Sequence, residues 1–125
     1  RHIKGEHVLT GEEYLNAVHF EDAVSRGAHP IDIHTAGDTT QKCQFLKNAA
    51  YIPYRSLIVP GFDNLLVAGR CVSATFAAQS SMRIQLTCMA LGEAAGIAAS
   101  MSPQVKTVDG AQVRRRMIEH GAKFL

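Results

Sequence analysis

The chain has 125 residues, 46% hydrophobic and 19% charged, and its thirteen Lys and Arg against eleven Asp and Glu leave a formal charge of +2. A chain of this kind builds one modest domain with a core, which excludes a disordered segment. The near-balance of charge excludes nucleic acid or an anionic membrane as the main partner. The three cysteines, Cys43, Cys71 and Cys88, are odd in number and lack C-x-x-C spacing. Reduced thiols in a cytoplasmic setting are therefore expected. No signal peptide is in view, and the chain starts at Arg1 rather than at a methionine.

Residues 3–9 alternate loosely and predict a short strand. Thr10, with Glu13 three residues later, is a capping box, so a short helix is expected from Gly11 to about Ala17. Residues 20–25 suggest a second helical turn, ended by Gly27 and Pro30. Residues 31–34 alternate apolar and polar, predicting a strand with Asp32 and His34 on one face. Residues 35–50 are polar and irregular, with Gly37-Asp38 as a turn signal, and suggest a mobile loop or an insertion. Residues 51–59 read as a strand that Pro53, lacking an N–H, places at an edge or a strand start. Pro60-Gly61 is a turn.

Residues 64–101 then organise the chain: NLLVAGRCVSATFAAQSSMRIQLTCMALGEAAGIAASM. Residues 65–68 are a short unbroken apolar run, predicted to be a central strand covered on both faces. The run stops at Gly69, where a missing Cβ allows close approach to the backbone. A polar loop is expected over residues 71–81, and a long helix from about Met82 to Met101, ended by Pro103. Cys88, Gly92, Ala95, Gly96 and Ala99 share one helical face. Two interior glycines there cost about 1 kcal/mol each relative to alanine, which predicts another backbone passing close to that face. Leu91, Met89, Ile97 and Met101 make the helix apolar nearly all round, so burial is expected. Glu93 interrupts the apolar run, which argues against a membrane span. Asp109 is the expected N-cap of a last helix through about His120, with Val113 and Met117 inward and Gly121 as its stop. Arg114, Arg115 and Arg116 fan around that helix and make no single basic stripe.

Ligands of open α/β folds sit beyond strand ends, facing helix N-termini. Gly69, Arg70 and the approach to Arg83 are therefore the expected ligand edge, unless Arg70 or Arg83 forms an internal ion pair. Asp32, His34, Tyr54 and Arg55 are candidates for substrate contact. His34 titrates near neutrality, and Arg55 suits a carboxylate. Asp32 and Arg55 are equally good partners for each other. No metal site is expected, because His29 and His34 lie five apart across Pro30 and no cysteine pair has ligand spacing. A serine nucleophile has no G-x-S-x-G support.

Residues 51–99, YIPYRSLIVPGFDNLLVAGRCVSATFAAQSSMRIQLTCMALGEAAGIAA, resemble the C-terminal part of the FAD-dependent oxidoreductases of the glutathione-reductase-like flavoprotein family. RHIKGEHVLTGEEYL and FEDAVSRGAHPIDIH, earlier in the chain, resemble it too. The resemblance implies FAD held where the VAGR strand end meets the start of the final helix. Ala68, Gly69 and Arg70 would then follow the ribityl chain and pyrophosphate. Met82, Arg83, Ile84 and Thr87 would present the helix end to the isoalloxazine. Cys71 and Cys88 resemble the family's paired cysteines, although packing suffices to explain them.

That family also carries a G-x-G-x-x-G turn for the pyrophosphate, and none of the ten glycines here forms G-x-G. The expectation is a C-terminal fragment of a longer FAD-dependent oxidoreductase, binding FAD weakly or not at all by itself. The implied fold is α/β, a partial FAD/NAD(P)-binding-type fold of strand, loop and long glycine-containing helix with additional short strands and helices. Residues 1–59 would belong to a substrate or cap region and residues 60–125 to the FAD-binding domain. The expected partners are the missing N-terminal half, a small organic substrate and a second copy of the chain, but no nucleic acid and no membrane. The alternative is a self-standing interaction module on a flavoprotein-derived scaffold without cofactor.

Overall fold

The computed structural model describes residues 3–33 and 42–124. The order of elements is α1 (Gly11–Leu15), β1 (Ala23–Gly27), β2 (Ile31–Ile33), β3 (Lys42–Gln44), β4 (Ala50–Pro53), α2 (Phe76–Met82), α3 (Gln85–Met101) and α4 (Gly110–Glu119). β1 pairs antiparallel with β4, and β2 antiparallel with β3. The mixture of helices with small antiparallel sheets is consistent with an α/β fold.

The capping box at α1 forms as expected. Thr10 Oγ1 accepts from the Glu13 amide at 3.2 Å, and the Glu13 carboxylate takes the Thr10 amide at 2.8 Å. Thr75, far along the chain, accepts the next orphan donor, the Gly11 amide, at 3.1 Å. The helix is shorter than expected and ends at Leu15. Residues 3–9 bend at Glu6 and His7 and form no strand beyond a single parallel bridge from Leu9 to Ala74. They lie beside residues 71–75 through Leu9 N to the Ser73 carbonyl, 3.1 Å, and Thr75 N to the Leu9 carbonyl, 2.9 Å.

The expected turn is confined to residues 20–23, closed by Ala23 N to the Phe20 carbonyl at 3.1 Å; it does not run on to residue 25, because Ala23 begins β1, whose Ala23, Val24 and Ser25 are buried. Pairing with β4 (Ser25↔Ile52, Arg26↔Tyr51, Gly27↔Ala50) satisfies the backbone that a helix would have satisfied internally. Gly27 is required by space, since an added Cβ would collide with the Tyr14 hydroxyl. The strand at residues 31–33 is present, while His34 and residues 35–41 of the expected loop lie outside the described residues. Within the remainder of that loop, β3 pairs with β2, Asp32 opposite Cys43. The strand expected over residues 51–59 ends at Pro53 and turns into a 3-10 helix, Tyr54–Ser56.

The region after Pro60 departs furthest from expectation. Residues 65–68 are no central strand: Leu65 is 40% exposed, and only Leu66 bridges, to Ile58. Its one neighbour is the stretch at 57–58, so the pairing is one-sided among the described residues. The expected polar loop contains α2, and α2 and α3 meet at a bend of 96° rather than forming one helix. Several of the polar side chains that suggested a loop bond to backbone instead. Ser80 donates to the Ala77 carbonyl at 2.7 Å, and Ser81 donates to the His29 carbonyl. No single helix among the described residues is long and apolar enough to cross a membrane.

Nor is α3 buried all round. Its core face is Thr87, Leu91, Ala94 and Ala98, against β1 and α4. Leu86 and Met89 are 76% and 70% exposed, and a Cβ added at Gly92 or Gly96 meets nothing within 4 Å. The passing backbone expected at the glycine face is not among the described residues. The last helix follows its sequence signals: Asp109 caps the Ala111 amide at 2.9 Å, Val113 and Met117 are buried, and Gly121 has φ +100°. The apolar core is shared by residues before and after position 60, including Tyr14, Val24, Ile52, Leu57, Met82, Leu91, Val113 and Met117.

Two glycines separate the two kinds of role. A Cβ at Gly110 would lie 2.7 Å from both the Asp22 carbonyl and the Tyr54 Cβ. Gly110→Ala should therefore destabilise the protein by about 1–3 kcal/mol. Gly96→Ala, on an open helical face, should stabilise this chain by up to about 1 kcal/mol. Thermal melts of the two variants check both signs.

Candidate functional site

Val67 donates to the Leu57 carbonyl at 2.8 Å, which aligns residues 66–68 so that they end at Gly69. Gly69 has φ +72°, a left-handed conformation that disfavours side chains, and it opens the 3-10 turn Gly69–Cys71. A Cβ added there would sit 3.9 Å from the Cys88 Cβ. The end of the VAGR run thus lies against the first turns of α3, as the sequence suggests.

The bend between α2 and α3 exposes the start of α3. Its N-cap is Ile84, whose side chain cannot accept a hydrogen bond, and no side chain among the described residues caps this end. The first-turn N–H groups of a 17-residue helix therefore remain donors beside Gly69. Arg70 Nε donates to the Arg83 carbonyl at 3.2 Å, and Arg83 Nε donates to the Ser80 carbonyl at 3.2 Å. The Gln79 amide donates to the Arg70 carbonyl, a link that sequence reasoning missed. Both arginines are exposed, and neither forms an ion pair among the described residues. Their other guanidinium nitrogens stay available to an anion.

The remaining candidates divide. Ala68 and Ile84 are half-buried at this edge. The Met82 and Thr87 side chains belong to the core, which leaves their backbone as the part able to face a ligand. Cys71 and Cys88 are both free thiols, and Cys88 Sγ points to the Met82 carbonyl at 3.7 Å. No group of three metal-ligating side chains occurs among the described residues.

Tyr54 and Arg55 lie elsewhere. Tyr54 is buried and its hydroxyl donates to the Val105 carbonyl at 2.7 Å; burial pushes its pKa up to about 12. Arg55 pairs with Asp22, not with Asp32, through Nε at 2.9 Å and its backbone N–H at 3.1 Å. Burial opposes the Asp22 charge, but the Arg55 hydrogen bonds and charge outweigh it and hold the carboxyl below its usual range. The same bonds raise the Arg55 pKa. Both residues line a cavity of about 630 Å³ together with Asp22, Lys106 and Asp109. That lining shares no residue with the Gly69 edge. Asp22 was missed because nothing in its local sequence distinguishes it from a solvated acid.

A family model described as FAD dependent oxidoreductase matches residues 1–118. The chain belongs to that family. Comparison with curated proteins and with solved structures gives no significant match. Membership makes FAD the family's cofactor and oxidation–reduction its chemistry. The glycine turn, the uncapped helix end and the two tethered arginines fit a flavin nucleotide: a backbone surface without Cβ, N–H donors and cationic donors.

The Asp22–Arg55 pair should appear in the acid limb of stability. The Asp22 pKa is lower folded than unfolded, so the contribution is complete above the unfolded carboxylate value of about 4 and fades as pH falls through the folded value. Arg55 is half exposed, so the contribution is held to about 1 kcal/mol. Asp22→Asn should lower Tm at neutral pH and narrow its gap to the parent as pH falls, measured by melts across acid pH.

Proposed function

We propose that this chain is the C-terminal part of an FAD-dependent oxidoreductase and supplies the ribityl and isoalloxazine edge of the flavin site. The observation that carries the reading is the approach of Gly69, at φ +72°, to the uncapped start of α3, in a chain whose family match spans residues 1–118. Residues 60–125 are read as a segment of the FAD-binding domain, and residues 1–59 as part of a substrate or cap region.

FAD, when bound, supplies the transfer of hydride or electrons to and from an organic substrate. The chain's own residues bind and orient. Ala68 and Gly69 offer backbone to the ribityl chain, and Arg70 and Arg83 offer guanidinium donors to phosphate oxygens. The N–H groups at the start of α3, through Thr87, would stabilise the negative charge that the flavin ring gains on reduction. A helix end aimed there stabilises that charge without reorganisation. The open face of α3, with Gly92 and Gly96 beside Leu86 and Met89, suits the missing nucleotide-binding half. Free cysteines support the cytoplasmic setting.

The test is the complete gene product. An upstream strand–G-x-G-x-x-G–helix and a yellow protein with about one FAD per chain are expected, whereas this chain alone should stay colourless. Gly69→Val should lower flavin content. Gly96→Ala, stabilising in the isolated chain, should weaken assembly with the upstream half. A colourless gene product with no such upstream segment would overturn the reading in favour of the cofactor-free interaction module.

A further inference from the structure

Away from the Gly69 edge, a cleft of about 370 Å³ opens between β1, β4 and α4. Its lining is His19, Arg26, Tyr51, Arg114, Ile118 and Phe124. Two of these carry full positive charge and none is acidic. Arg26 and Tyr51 face each other across the β1–β4 pair, and the guanidinium lies 4.8 Å from the ring centroid. The His19 ring meets the same Tyr51 ring edge-on at 4.9 Å.

Among the described residues these cations are under-neutralised. Arg26 Nη2 donates to the Ala49 carbonyl at 3.2 Å, and Arg114 Nη1 donates to the Ala23 carbonyl at 3.0 Å. Those carbonyls fix the guanidiniums but bring no charge. Arg26 Nε is buried and finds no acceptor among the described residues. Among the described residues, neither arginine has a carboxylate within ion-pair distance. Two half-buried cations in one cleft repel each other, and an unpaired buried charge is costly.

We propose that this cleft binds a small aromatic carboxylate. A carboxylate is planar and takes two parallel N–H bonds from a guanidinium, which Lys-type sites do not offer. Tyr51, Phe124 and Ile118 supply apolar walls for a ring, and aromatic rings pack edge-to-face or offset against such walls. Inorganic phosphate would meet the guanidiniums but leave those walls wet. None of the six residues belongs to the Gly69 edge, so the proposal stands whether or not the flavin reading does.

Benzoate is the probe, titrated into the complete gene product by calorimetry and ligand-observed NMR. Saturable binding is expected, with one benzoate per chain. Benzyl alcohol, which lacks the charge, and phosphate, which lacks the ring, should bind at least about tenfold more weakly. Arg114→Gln and, separately, Arg26→Gln should each weaken benzoate roughly tenfold. Arg115→Gln, the same charge change one position along on the exposed face of α4, should not. Arg114 also holds the Ala23 carbonyl, so each variant is first checked by its melt, and the comparison of ligands on the unsubstituted protein stands if a variant does not fold. No benzoate binding would overturn the proposal. Equal binding of benzyl alcohol or phosphate, or indifference to both cleft substitutions in folded protein, would do so as well.

Discussion

Asp22 ties together three stretches that are distant along the chain. Its carbonyl accepts the Tyr54 amide at 2.9 Å, and its carboxylate takes the Arg55 backbone and side chain. The space above it is kept free by Gly110, the first residue of α4. Tyr54 extends the tie by donating to the Val105 carbonyl. The start of β1, the turn after β4 and the approach to α4 are thereby held at one point. A buried amide or carboxylate left unpaired there would cost about 1–3 kcal/mol or more, so the three stretches are fixed relative to one another.

That node explains why Tyr54 and Arg55 are framework residues in this structure. Both carry chemistry that substrates use, and both spend it on the chain itself. Arg70 and Arg83 are the contrast. Each is tethered to a carbonyl through Nε only and lies exposed beside a helix end with no cap. Side chains of one type thus take different roles, and the difference lies in whether a carboxylate among the described residues reaches them. Arg26 and Arg114 belong with the second group by the same criterion, on a separate surface.

The broken helix between α2 and α3 has a comparable consequence. One straight helix from residue 76 to 101 would bury its own N–H groups at residues 85–87 in helical bonds. The 96° bend at Arg83 and Ile84 frees them. It also lets Ser81 reach the His29 carbonyl and Gln79 reach the Arg70 carbonyl, which anchors α2 on both sides. The apolar run of residues 65–68, with a neighbour along one side, ends beside those freed donors.

The sequence by itself determined the local features whose causes are local. The Thr10–Glu13 box, the Asp109 cap, the stop at Gly121 and the inward Val113 and Met117 rest on residues within a few positions of one another. The family was legible in the same way, because the GRC and TCMALGEAAG runs are contiguous. Only the tertiary structure decided what depended on distant partners. β1 exists because β4 pairs with it, against a local pattern that suggested a helix. α2 is anchored because Ser81 and Gln79 reach the His29 and Arg70 carbonyls outside the helix, where the sequence showed only polar residues. Arg55 is held by Asp22, thirty-three positions away, and no periodicity or spacing encodes a contact of that reach. Close approach of Gly69 to Cys88 was legible as a tendency of glycine after an apolar run, but its realisation required the bend that the sequence did not announce.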